Sequence, residues 1–202
     1  RWLKSFNVAA VTENLPHCTV MMGVPTYYSR LLAEPAFTTS SCSRMRLFIS
    51  GSAPLLTDTF FEFERRTGHT ILERYGMTET GMNTSNPLHG ERRAGTVGLP
   101  LPGVTVRICD ADNRVLGVNE VGALQVRGAN VFSGYWKLPA QTAQDFTPDG
   151  FFNTGDQALV DEDGYVSIVG RSRDMVISGG LNVYPKEIEL LIDELPGMKE
   201  SA

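Results

Sequence analysis

Cysteine and histidine are scarce in this sequence, with three of each in 202 residues. Cys18, Cys42 and Cys109 are widely spaced and form no C-x-x-C pair. A disulfide framework is therefore not expected, and the three read as packed free thiols of a reducing, cytoplasmic compartment. His17, His69 and His89 lack the spacing of zinc ligands. No apolar run reaches the ~18 residues that a membrane-spanning helix needs, so no membrane partner is expected. Basic residues are in deficit, 18 Lys and Arg against 23 Asp and Glu for a net charge of -5, which argues against a nucleic-acid partner. The chain opens on Arg1-Trp2-Leu3-Lys4-Ser5, without Met and without the pattern of a signal peptide.

What the chain does have is a globular composition, 42% hydrophobic and 20% charged, with 20 Gly and 11 Pro for turns. The first ninety residues alternate strand and helix signals. Thr19–Val24, Leu47–Ile49 and Thr70–Arg74 are short apolar runs that read as buried strands. Between them Pro25 opens a helix through Leu31 and Leu32, and Thr57 or Asp58 can cap a helix that Gly68 closes. That alternation predicts a parallel sheet with ligands at the carboxyl ends of its strands. Beyond about Arg92 the period becomes two, in Val104–Ile108 and Ala123–Arg127, and Asp161–Gly164 turns a hairpin. Gly179-Gly180 then breaks a strand, and Pro185 opens a helix with Ile188, Leu191, Ile192 and Leu195 on one face. The expected organisation is a partial α/β subdomain over 1–91, a small antiparallel β-barrel over 92–171, and the start of a C-terminal α+β domain over 172–202.

Four segments carry groups suited to nucleotide chemistry, and each alone also admits an ordinary structural reading. In Glu73–Gly81, Tyr75 offers a flat face to a purine, Thr78 a phosphate donor and Glu79 a hard oxygen for Mg²⁺; a polar turn beside a core tyrosine reads it equally well. Ser50–Pro54 puts small residues where a strand ends, as a ring lying on backbone or a plain strand–helix turn would require. Asp156 in Thr154-Gly155-Asp156 could accept from both ribose hydroxyls, or be a solvated loop acid. Arg171 and Arg173 in Gly170–Asp174 read as ligand cations or as a surface ion-pair cluster.

Taken together and in this order, these segments resemble the adenylate-forming superfamily of acyl-CoA synthetases, nonribosomal adenylation domains and luciferases. The resemblance is carried by Gly51–Pro54, Tyr75–Glu79, Gly122–Gly128 with Gly134-Tyr135-Trp136, Thr154–Asp156, and Gly170-Arg171 leading to Ser178–Gly180 and Tyr184-Pro185. Within it, Met22–Thr26, Ser50–Leu55, Glu73–Glu79, Met82–Pro87 and Asn182–Glu187 are most similar to malonyl-CoA synthetases. The resemblance implies that Ser52, Ala53 and Pro54, with Tyr75 and Gly76, line the adenine. It implies that Thr78 holds the α-phosphate, Glu79 the Mg²⁺, and Asp156 the ribose with help from Arg171. Arg173 then falls at the hinge between large and small domains, and Gly179 and Gly180 at the entry of the CoA arm.

Substrate choice turns on charge. The resemblance implies that Arg30 and Arg74 hold the second, non-reacting carboxylate of malonate, with Met82 bounding the pocket beside the α-carbon. A buried carboxylate does require charge-assisted partners, preferably bidentate. An exposed helix arginine is the alternative for Arg30. The phosphate-binding loop of the family would lie before Arg1 and its catalytic lysine beyond Ala202, so these 202 residues alone are expected to be inactive, with at most weak nucleotide affinity. The expected activity of the whole protein is an ATP-, Mg²⁺- and CoA-dependent acid–thiol ligase making malonyl-CoA. An aryl- or fatty-acyl-CoA ligase is the near alternative, and a noncatalytic nucleotide-binding or interaction module the distant one.

Overall fold

The computed structural model describes residues 5–178, 181–193, 195 and 198. The chain forms two compact units, one of residues 1–76 with 85–98 and one of 77–84 with 99–202.

The first unit is the parallel layer anticipated from the alternating pattern. Its strands are β1 (Val20–Gly23), β2 (Leu47–Ser50) and β3 (Ile71–Met77), the last residue of which passes into the second unit. β1 pairs with β2 and β2 with β3, both parallel, so that Gly23 lies opposite Ser50 and Ser50 opposite Glu73. Three helices accompany them: α1 (Val8–Asn14), α2 (Pro25–Leu32) and α3 (Thr57–Thr67). Asn7 starts α1 by accepting the Ala10 N–H at 3.0 Å. Between sheet and helices lies an aromatic core, with Tyr28, Phe37, Phe48 and Phe63 all fully buried. Phe63 meets Tyr28 and Phe48 edge-on, with centroids 5.4 and 4.8 Å apart. The Tyr28 hydroxyl is satisfied in this apolar setting by donating to the Ile49 carbonyl at 2.5 Å.

Gly68 closes α3 at φ 73, in the left-handed conformation, and its N–H returns to the Glu64 carbonyl at 2.8 Å. The start of α3 differs from expectation. Leu56 holds the cap position and neither Thr57 nor Asp58 makes a capping bond. The entry is held instead one residue earlier, where the Leu55 N–H donates to the Glu73 carboxyl at 3.3 Å.

In the second unit a turn over 78–80 leads to β4 (Gly81–Ser85), which returns to the first unit at Ser85; β5 (Leu99–Pro100) follows later. Then come β6 (Val104–Cys109), β7 (Gly122–Gly128), α4 (Pro139–Asp145), β8 (Phe152–Val160) and β9 (Val166–Arg171). β6 to β9 form an antiparallel sheet in chain order, with the 161–164 turn joining β8 to β9 as read from the sequence. Among the described residues this is an open four-stranded sheet and not the anticipated barrel. Closure requires the outer strands to pair, and β6 and β9 sit at opposite edges. Beyond β9, a single 3₁₀ turn (Ser172–Asp174) precedes the antiparallel pair β10 (Val176–Ser178) and β11 (Leu181–Val183), then α5 (Pro185–Asp193).

All three cysteines are free, with Cys42 and Cys109 buried. Among the described residues no helix is long and apolar enough to cross a membrane.

Candidate active site

The register of the parallel layer brings Gly23 and Ser50, the last residues of β1 and β2, level with Glu73, the third residue of β3. The segments leaving those ends are the ones the sequence singled out. After β2, Ser52, Ala53 and Pro54 are exposed, and Ser52 is held at φ 70, a left-handed conformation costly to a residue with a Cβ. Gly51 before it lies so near β3 that a Cβ there would stand 3.3 Å from the Arg74 carbonyl oxygen. The small residues therefore let this loop press against the backbone of Arg74, directly before Tyr75 and Gly76.

Arg74 Nη2 lies 2.9 Å from the Met22 sulfur, and among the described residues the guanidinium makes no ion pair. Arg30 is exposed in the last turn of α2, with its guanidinium 5.9 Å from the Phe6 ring centroid. Met82 belongs to the other unit, on β4, and is 38% exposed.

Glu73 was not anticipated as a candidate. Its side chain is buried, Oε2 accepts only the Leu55 N–H, and Oε1 has no hydrogen-bond partner among the described residues. Burial pushes its pKa up to about 8, the Leu55 N–H pulling weakly the other way. An acid inside the apolar run Ile71-Leu72-Glu73 was the available signal.

In the second unit, Thr78 and Glu79 occupy the turn after β3, which the Thr80 N–H closes onto the Met77 carbonyl at 3.2 Å. Thr78 is exposed. Glu79 is fixed twice: its carbonyl accepts the Phe132 N–H at 2.8 Å, and its Oε1 accepts the Tyr135 hydroxyl at 3.3 Å. Burial first, then the Glu79 charge, raise the Tyr135 pKa, so the phenol stays a donor. Tyr135 was noted in the sequence only as part of a motif, and its partner could not be read from spacing 56 residues apart. Asn130 supports the same turn, donating to the carbonyls of Thr80 at 2.7 Å and Met82 at 3.3 Å.

A metal can be tested against this donor set. Among the described residues no cluster of three or more His, Cys, Asp or Glu could enclose an ion. One oriented carboxylate beside an exposed hydroxyl nevertheless fits Mg²⁺, which is commonly held by one or two carboxylates together with substrate phosphates.

Asp156 and Arg171 are brought together as an ion pair. They face each other across β8 and β9, and Arg171 Nε lies 2.8 Å from Asp156 Oδ1. The carboxylate is nearly buried while the arginine is about half exposed. Gly155, at φ 77, turns the strand, and the Thr154 hydroxyl accepts the Asp156 N–H at 3.1 Å. Arg173 stands apart in the exposed 3₁₀ turn, 3.5 Å from Asp174. Gly179 and Gly180 lie outside the described residues.

The family model of the AMP-binding enzyme matches residues 6–136. Malonate–CoA ligase of Arabidopsis thaliana is 43% identical over 99% of this chain, which covers 34% of that protein. The probable CoA ligase CCL8 of Humulus lupulus is 44% identical over the same share. The solved structure of ATP-bound MatB from Rhodopseudomonas palustris superposes with a TM-score of 0.96 at 53% identity, across all of this chain and 40% of its own. The chain thus spans about a third of the length of the curated relatives it matches. With the family model covering well over half of its residues, the chain belongs to the AMP-binding, adenylate-forming CoA ligase family.

Proposed function

We propose that this chain is part of an ATP-dependent ligase that activates malonate and transfers it to CoA. In this reaction a malonate carboxylate oxygen attacks the α-phosphorus of ATP, and pyrophosphate leaves. The CoA thiol then attacks the acyl carbon, a C–S bond forms, and AMP departs with the electron pair of the broken C–O bond. An anion must approach an anion, so positioning and charge neutralisation carry most of the work.

The roles follow the arrangement within each unit. Ser52, Ala53, Pro54, Tyr75 and Gly76 line the adenine, the exposed loop and the end of β3 offering backbone and a flat ring. Thr78 donates to the α-phosphate. Glu79, oriented by Tyr135, takes a share of Mg²⁺, which when bound neutralises phosphate charge. Asp156, poised by Arg171, accepts the ribose hydroxyls. Arg173 serves as the hinge, and Gly179 and Gly180 admit the CoA arm.

The observation that carries the choice of malonate is Arg74, a half-buried cation in the middle of β3 that makes no ion pair among the described residues. Such a group is a ready partner for a substrate carboxylate. Arg30 is proposed as the second cation and Met82 as the wall beside the α-carbon. The malonate–CoA ligase among the relatives supports the same reading. In the full-length protein, Arg74→Ala is expected to lower kcat/KM for malonate by roughly a hundredfold or more, the scale of a lost buried charge pair. Activity with octanoate should be little changed. Equal losses with both acids would contradict the assignment.

A further inference from the structure

We propose that Glu73 is a positioning residue, a buried neutral acid that holds the Ser50–Leu55 loop in the shape it offers to the nucleotide ring. The proposal rests on the reading of that loop as the adenine wall.

Four observations carry it. Glu73 and Ser50 are register partners on neighbouring parallel strands, so their side chains stand on the same face of the sheet. The loop leaves β2 at Ser50 and is caught again at Leu55, whose N–H donates to Glu73 Oε2. Between those two points Ser52 is held left-handed at φ 70, a conformation that persists only when its surroundings enforce it. At the second point the hydrogen bond and the buried Leu55 side chain supply the enforcement. The Glu73 carbonyl, meanwhile, accepts the Asn86 N–H at 2.8 Å, which fixes the strand from the other side.

Among the described residues no charged group is bonded to the carboxyl. Arg74, next on β3, turns to the Met22 sulfur. Arg92 donates to the carbonyls of Pro87, Leu88 and Thr70, and Arg93 pairs with Glu91 at 3.2 Å. On α3, Asp58 is exposed. With Oε1 unpaired and one N–H on Oε2, an ionised carboxylate would be poorly compensated here. Its pKa, pushed up to about 8, agrees with a protonated group at neutral pH. Ionisation strengthens the bond from the Leu55 N–H but leaves an uncompensated charge on Oε1, so water must enter and the side chain shift, carrying the Leu55 anchor with it. The nucleotide wall then loses its shape while the groups that touch the phosphates remain in place.

The test is the KM for ATP and the kcat of pyrophosphate exchange in the full-length protein between pH 6.5 and 9.5. Wild type, Glu73→Gln and Glu73→Ala would be compared, each checked for folding by its thermal melt. Glu73→Gln keeps the acceptor for Leu55 and removes the proton. We expect the wild-type KM to rise several-fold across about pH 8 with kcat little changed, and the Gln variant to stay near the wild-type neutral-pH value throughout. The Ala variant should show a raised KM at every pH. A Gln variant that keeps the wild-type pH dependence, or an Ala variant with unchanged KM, would overturn the role of Glu73 while leaving the adenine reading intact. A wild type that binds no ATP at any pH would sink the underlying reading, and this proposal with it.

Discussion

Glu73 sits under two opposed demands, since an acid beside the Ser50–Leu55 loop offers an acceptor for Leu55 while its burial penalises charge. The consequence reaches stability as well as binding. Its folded pKa, about 8, lies above the ordinary value of 4.5, so the folded state holds a proton that the unfolded chain has released. The contribution is therefore fully present below about pH 4.5 and is lost as pH rises to about 8. The loss is on the order of a few kcal/mol. Glu73→Gln should flatten this slope and be the more stable protein at pH 8.5, as read by urea unfolding at a series of pH values. A variant that loses stability with pH as the wild type does would place the titration elsewhere. A second carboxyl, this one exposed, behaves oppositely. Asp149 receives two bonds from Arg107, at 2.6 and 3.0 Å, and one from the Thr147 hydroxyl. Those bonds hold it down at about 2, so its contribution is present above the usual 3.8 and is lost as pH falls through about 2. A carbon-13 titration should find Asp149 near that value, and back in the ordinary carboxylate range in Arg107→Met.

The elements show where a sequence is readable and where it is not. β2, α2 and the Gly68 stop of α3 could be read because each depends on its own neighbours: an apolar run, a proline at a first turn, a glycine at positive φ. β1 was placed correctly but is not the buried strand its apolar run suggested, since it lies at the sheet's edge with Val20 and Met22 exposed. The entry of α3 could not, because Leu55 is held by Glu73, 18 residues later, in place of a local cap. α4 was also missed, since its exposed segment Pro139–Asp145 has no apolar face to mark it. The open edge of the antiparallel sheet is likewise a matter of which distant strands meet, which alternation alone cannot say. Among the site residues, Asp156 and Arg171 stand out in the sequence through the order of their motifs, whereas Tyr135 on Glu79 depends on a bond across 56 positions. Two glycines separate conformational strain from steric exclusion. A Cβ at Gly98 would fall 2.0 Å from the Asn86 nitrogen, while at Gly68 it would meet nothing within 4 Å. Gly68→Ala should cost about 1 kcal/mol from backbone conformation alone. Gly98→Ala should cost several times more, or prevent folding, and equal melts for the two variants would refute the distinction.

At the scale of the molecule, the chain carries its chemistry in two sets, each built by its own unit. The first unit levels the ends of two strands with the interior of a third, and sets a strained loop beside an arginine that makes no ion pair among the described residues. The second orients one carboxylate with a phenol and pairs another with an arginine across a β-ladder. On the proposed reading the two sets supply what acid activation by ATP requires: a nucleotide wall, a phosphate donor, a metal oxygen and a cation for the acid. Membership of the adenylate-forming family makes that chemistry the expected one, and the identity of the acid is the central claim. The most direct test is ATP–pyrophosphate exchange by the full-length protein, with malonate, methylmalonate, benzoate and octanoate supplied separately. The account predicts exchange driven most strongly by malonate and largely abolished for that acid by Arg74→Ala. Exchange driven by benzoate or octanoate and not by malonate would contradict it.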